Sequence, residues 1–449
     1  MSTNTLSFSS EVKGKLYGKD FHDASTYEII EEVKKWGTLQ LSVFWENLRT
    51  LKSELTSNET ELNFSNFVFP TFERTEETSN FWTAEEKFTF DKEVNFSKAY
   101  FMGEVNFSNV IFKKNANFSK AKFKDDVKFY HSTFEKELSF EKVQFKEEVD
   151  FYYSTFLEKA SFDEATFQAK TVFHQIKFEK KASFSLVSSK YRLTFFDCVA
   201  KKINFKYSRI ENAYFINNHF EYLNLHGVAI QNPFFSDNDI SEAERETFAY
   251  MKNFFDKRND YISANYYYAK EMRSYQKKLF PKSKENIIKK IYHWFNKPNL
   301  GDKLVFGFSK LASNFGQNIF LPIYWILFTG VLFVGIKRDS SGHFILYSII
   351  LFALLSLFTY LVRKLLKKVE RDDIMWLLSQ ATLSLIFVGI FLFDSTFLSD
   401  FAKVINPVQI LKGNNTYCQD IELSCLLLRA FIATMVYHFI IASKRGVKR

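Results

Sequence analysis

Residues 94–181 read VNFSKAYFMGE, VNFSNVIFKKN, ANFSKAKFKDD, VKFYHSTFEKE, LSFEKVQFKEE, VDFYYSTFLEK, ASFDEATFQAK and TVFHQIKFEKK, eight consecutive units of 11 residues. Phe96, Phe107, Phe118, Phe129, Phe140, Phe151, Phe162, Phe173 and Phe184 mark the period, and a second Phe follows each by five residues as far as Phe178. The steps therefore alternate five and six. A small or aliphatic residue stands two places before each Phe, as in Val94, Ala99, Val105, Val110, Ala116, Ala121, Val127 and Ser132. On an α-helix, steps of five and six turn by about 140° and about 240°, so successive Phe side chains cannot share a stripe. Residues i−2 and i do share one face of an extended strand. Each half-unit thus reads as a short strand with two inward residues and a polar corner of Asn, Ser, Lys, Glu and Asp.

A strand that short cannot bury its inner face alone, so coils must stack at roughly 4.8 Å and form a continuous interior of Phe ladders. The pattern tightens after Phe184. Ser189 takes one inward place, and Phe205, Ile210, Phe215, Phe220, Leu225, Ile230 and Phe235 then follow every five residues. Upstream, Phe64, Phe69, Phe88 and Phe90 predict a first coil interrupted by an insertion near 70–85.

These units resemble the pentapeptide-repeat family, whose pattern centres Leu or Phe with a small residue two before it. The resemblance covers about 88–236 and implies a right-handed quadrilateral β-helix with four short faces per coil. Some soluble members of that family mimic DNA through an acidic surface. Here Lys and Glu mix at the corners, as in FKKN, FEKE and FEKK, so DNA mimicry and nucleic-acid binding are not expected. Tyr130, His131, Tyr152 and Tyr153 stand at places that are otherwise polar, which makes them a candidate exposed patch.

The rest of the chain divides around this solenoid. Residues 1–60 are expected to hold amphipathic helices that cap the solenoid or contact a partner, and 61–236 the β-helix. From Ser241, with Glu244 as the second half of a capping box, a helical hairpin is predicted over 240–280. Residues 282–317 form a basic segment. In it Lys284, Lys289, Lys290 and Trp294 belong to a short amphipathic helix suited to anionic lipid headgroups. Residues 318–443 predict a membrane domain of about four spans, at 320–336, 343–362, 374–393 and 421–442. Lys and Arg concentrate before the first span, in RKLLKKVERDD and in the tail SKRGVKR, which places both termini and the β-helix inside. The run INPVQILK followed by a span ending YHFIIASKR also resembles membrane-anchored pentapeptide-repeat proteins, more briefly. The N-terminus lacks an apolar core of the secretory type, so a cytoplasmic β-helix on a membrane of the bacterial inner type is expected.

Four polar residues fall within or beside the predicted spans: Arg429, Asp394, His438 and Gln380. Arg429 can pair with Asp394, while His438 and Gln380 can bond across helices at similar depth. No potassium-type filter and no Arg-rich sensor helix occur. There is no phosphate loop, HExxH, GxSxG or Cys/His cluster, and the three cysteines, Cys198, Cys418 and Cys425, lack metal spacing. No enzyme activity and no cofactor are predicted. Two readings follow: a membrane-anchored scaffold or sensor for an unknown cytoplasmic protein, and an oligomeric pore gated through the β-helix, of the kind a bacterial defence effector would use.

Overall fold

A computed structural model describes residues 10–18, 20, 24–58, 61–71, 88–279, 300–339, 342–366, 373–393, 396–405 and 423–447. The chain forms two compact units that divide at Phe254/Phe255.

The first unit is a parallel β-solenoid. In the coil that starts at Val94, strands lie at Glu93–Asn95, Tyr100–Phe101, Val105–Asn106 and Ile111–Phe112. Each pairs in parallel with the strand 22 residues on: Val94 with Ala116, Tyr100 with Lys122, Val105 with Val127, Ile111 with Thr133. Four ladders therefore run the length of the solenoid, one for each face. The 11-residue unit is half a coil, so the nine Phe residues that define it split between opposite faces. Phe64, Phe96, Phe118, Phe140, Phe162 and Phe184 stack face to face with ring centroids 4.6–5.2 Å apart. Phe107, Phe129, Phe151, Phe173 and Phe195 form the opposite stack at 4.7–5.2 Å. Rings of the two stacks meet edge-on across the interior, as at Phe107 and Phe118, 5.6 Å apart at 73°. This offset of stacked and perpendicular contacts suits the ring quadrupole.

Corner chemistry explains why polar residues sit where they do. The residue two after each of these Phe is left-handed: Lys98, Asn109, Lys120, His131, Lys142 and Tyr153 all have φ between 52° and 60°. Its N–H still reaches the next coil, Lys98 to the Ser119 carbonyl at 2.8 Å, so the ladder continues through the turn. The residue just before Phe closes the same corner from its side chain. Asn95, Asn106 and Asn117 each accept the N–H two places on, at 2.9–3.0 Å. The corner after the second Phe is one residue longer, Met102–Glu104 before Val105, and that extra residue is the six-step.

Two of the four stacks end together. Phe167 is followed in its ladder by Ser189, and Phe178 by Ala200. At those two corners the register slips by one residue, between Phe178 and Lys181 and between Ser189 and Arg192. Beyond them Ile203 pairs with Leu223 and Ala213 with Pro233, so the coil has shortened to 20 residues. With the extra corner residue gone, strands run through the corner, as in Ser188–Phe196.

Both ends of the solenoid are covered. Helices α1 (Ser10–Tyr17), α2 (Thr26–Val33) and α3 (Thr38–Asn58) precede it. Tyr17 Oη donates to the Val68 carbonyl at 2.7 Å and accepts the Val68 N–H at 3.0 Å, filling a position that a preceding coil would occupy. Trp45 stacks on Phe69. At the other end Ser241 does not cap a helix. It lies in strand Asp239–Ala243, because the five-step ladder extends one strand further, and α4 (Arg245–Lys257) starts after Glu244. Phe248 and Met251 of α4 are buried, Phe254 packs edge-on against Phe235, and Thr247 Oγ1 accepts the Leu225 N–H.

The second unit is helical: α5 (Tyr261–Leu279), α6 (Leu300–Ser313), α7 (Phe320–Arg338), α8 (His343–Leu366), α9 (Asp373–Phe393), α10 (Thr396–Ile405) and α11 (Leu423–Val447). Segments Phe320–Arg338 and Ser424–Ser443 are long and apolar enough to cross a membrane; His343–Leu354 and Leu378–Ile390 are shorter apolar stretches among the described residues. Its core is formed by Val331, Val334, Phe344, Leu385, Val388, Phe397 and Val404.

Candidate functional site

The exterior of the solenoid carries an aromatic row on one corner. Tyr130 stacks on Tyr152 at 5.4 Å and 9°, and His131 on Tyr153 at 4.7 Å and 5°. Tyr152 meets His174 at 4.3 Å, and His174 meets Phe196 at 4.7 Å. The periodicity that builds the interior builds this row too. Each pair occupies the two turn positions after Phe129, Phe151 and Phe173, so equivalent side chains superpose one coil apart. The corresponding turn one coil earlier holds Ser108 and Asn109. Tyr130 and Tyr153 remain more than a third exposed. His131 and Tyr153 are the left-handed residues of their turns, a conformation that costs a residue with a Cβ about 1 kcal/mol or more. The hydrogen bond that Tyr152 donates to Tyr153 is the chief reason that the Tyr152 phenol is pushed up to about 12. Partial burial lowers the pKa of His174 against the opposing pull of Asp197, whose carboxylate lies 3.9 Å away.

The polar residues of the helical unit separate. The Asp394 partner proposed for Arg429 lies outside the described residues, as do Lys284, Lys289, Lys290 and Trp294 of the basic helix. Gln380 is buried on α9. His438 does not reach across to it: His438 Nδ1 lies 3.1 Å from Ser313 Oγ on α6, with Phe308 beside the ring. Arg429 is half-buried on α11.

What sequence reasoning missed is α10, a stretch read as loop. It folds back along α7. Arg338, at the end of α7, bonds Asp400 at 2.6 Å and Thr396 at 3.0 Å. A Cβ placed on Gly330 would meet Ile405 at 2.4 Å and Phe401 at 3.1 Å, and one on Gly389 would meet Phe397 at 2.2 Å. Gly330 lies near the middle of α7, so the described part of α10 runs from the end of α7 to its midpoint. The signal available in the sequence was the amphipathic run TFLSDFAKVI, whose Phe397, Phe401 and Val404 recur at helical spacing.

A third cluster was also absent from the sequence reading. His226, Glu244 and Glu246 bring their ligand atoms within 4.8 Å of one another where α4 meets the last coil. Glu244 already accepts from Tyr222 Oη at 3.3 Å and faces Lys206 at 4.0 Å, and the first turn of α4 favours carboxylates by itself. These contacts engage Glu244 but not His226, whose buried Nδ1 has no hydrogen-bond partner among the described residues.

Residues 129–176 match the family described as pentapeptide repeats (9 copies), the stretch that includes most of the aromatic row. No curated protein matches the chain.

Proposed function

We propose that this chain, a carrier of pentapeptide repeats with two helices able to cross a membrane, is a membrane-anchored recognition module whose aromatic row docks a cytoplasmic protein. The observation that carries the reading is the row itself. Aromatic side chains stack on one corner over successive coils, where most other corners bear Lys, Asn, Glu and Asp and Leu157, Leu186 and Tyr207 are also exposed, and rigid aromatics contribute contact area at low entropic cost. The charge asymmetry of the loops supports a β-helix on the inner side. Cys425, at the start of α11, is in a disulfide, chemistry of an oxidising compartment, which supports the opposite side for that end. The test is proximity labelling in membranes of wild type and the Tyr130→Ser/Tyr153→Ser double variant. A protein labelled by wild type and lost in the variant, with unchanged circular dichroism and Tm, is expected. Identical labelling patterns would sink the reading.

A second reading, an oligomeric pore, is favoured by α10. Its Asp400 is held by Arg338 and Lys403 against α7, a charged group placed beside a candidate span. Flux through closed vesicles containing the full chain tests it, and sealed vesicles with a monomeric chain would refute it.

A further inference from the structure

His226 stands in the turn after Leu225, the place that Lys206 holds one coil earlier. The ladder above it ends where Leu223 pairs with Ala243. The chain then leaves the solenoid, and the first turn of α4 covers the corner instead. Thr247 Oγ1 accepts the Leu225 N–H there at 2.9 Å. Glu244 and Glu246 are thereby brought to His226, with the ligand atoms of the three within 4.8 Å of one another.

The imidazole is held in place and left without a bond. Its ring meets Tyr207 edge-on at 5.5 Å and 83°, and Tyr207 itself packs over Gly227, where a Cβ would meet it at 2.5 Å. His226 Nδ1 is shut off from solvent and bonds no described residue. Native folds rarely keep a buried polar nitrogen in that state, and one that does so calls for a partner from outside the chain. The carboxylates have capacity to spare. Glu244 receives Tyr222 Oη at 3.3 Å and faces Lys206 at 4.0 Å, both through Oε1, which leaves Oε2. Glu246 is exposed, on the first turn of α4. The Lys206 ammonium offsets one of the two carboxylates, so the second leaves a local field that favours a cation.

We propose that His226 Nδ1, Glu244 and Glu246 bind a zinc ion that fastens α4 to the last coil. One imidazole nitrogen and two carboxylate oxygens are zinc ligands, whereas calcium and magnesium take six or more oxygens. Ligand atoms around a tetrahedral zinc stand about 3.4 Å apart, so the widest separation here closes by about 1.4 Å on binding. The exposed Glu246 side chain is free to make that movement. Three protein ligands leave the fourth position to water. Because the ligands come from both the coil and the helix, the ion binds only where α4 is docked, and binding stabilises the docked cap.

The experiment uses the full chain in detergent, stripped with EDTA and then dialysed against zinc chloride, with metal content and the melting of the β-solenoid measured together. Wild type should bind one more zinc per chain than either His226→Gln or Glu246→Gln. Zinc should raise the Tm of wild type and leave that of both variants unchanged, and magnesium should raise none of them. Glu246 lies on the surface, so Glu246→Gln should match stripped wild type in Tm and separates lost ligation from lost folding. Zinc content and a zinc-dependent rise in Tm that are equal in wild type and both variants would place the metal elsewhere and overturn the site. Wild type that takes up no zinc would overturn it as well.

Discussion

At the scale of single residues, several polar atoms of the interior are received by a backbone carbonyl of the neighbouring coil. Ser132 Oγ donates to the Phe107 carbonyl at 2.6 Å, and Cys198 Sγ lies 3.1 Å from the Phe173 carbonyl in the same ladder. Burial pushes the Cys198 thiol up to about 12, so very little thiolate exists at neutral pH. A thiol-specific disulfide reagent should therefore leave Cys198 unmodified in the folded protein and react with it once denaturant unfolds the solenoid; rapid reaction under native conditions would contradict this burial. Phe140 is fully buried, stacked between Phe118 and Phe162. Phe140→Ala should lower stability by about 3–5 kcal/mol in denaturant melts, since both ring contacts and transfer energy are lost. His174 gives a pH dependence with a definite sign. Its folded pKa lies below the usual value near 6.5, so the unfolded chain binds the proton first. Its contribution is full above that value and declines as pH falls through 6.5 toward the folded pKa. The Tm of wild type should drop more between pH 7.5 and 5.5 than that of His174→Gln.

At the scale of elements, the two halves of the chain differ in how far their structure could be read from the sequence. The solenoid was legible because each Phe position does one job in every coil, and repetition identifies that job. The step from six to five was visible as well, but its cause was not: the lost corner residue shows only once Ser189 and Ala200 are seen to end two stacks. Ser241 and Glu244 have the spacing of a capping box. Ladder hydrogen bonds to the preceding coil won over that local preference, and the strand ran on to Ala243. Helix α10 escaped notice because what holds it is non-local. Its Phe397, Phe401 and Ile405 fit against glycines 389 and 330, and its Asp400 is neutralised by Arg338, 62 positions earlier. Sequence spacing carries none of that. The Arg338–Asp400 pair is mostly shielded from solvent, and without Arg338 the Asp400 carboxylate keeps the longer contact to Lys403 at 3.4 Å. Arg338→Ala should cost about 1.5–3 kcal/mol, the loss of a charged hydrogen-bonded pair, and loosen α10 from α7. A protease-protection or accessibility assay at residues 396–405 should show the release, and unchanged protection would refute the role of the pair.

At the scale of the whole molecule, the solenoid behaves as a one-dimensional stack in which each coil answers mainly to its neighbours. The coils before residue 181 and those after 199 differ in perimeter and in how many aromatic columns run through them. The change of register at Ser189 and Ala200 is then like a stacking fault in a crystal. Two lattices meet at a plane where neither has its preferred neighbour. Such a plane is where a stack parts when its ends are pulled or heated, so the repeat need not open as one piece. Amide exchange should divide there, with residues 199–243 and residues 94–181 exchanging as two blocks at different rates. A single rate across both would mean that the fault transmits cooperativity undiminished. If the blocks do separate, a load arriving at the α4 end would spend itself on the short-perimeter coils, and the aromatic row beyond the fault would keep its spacing.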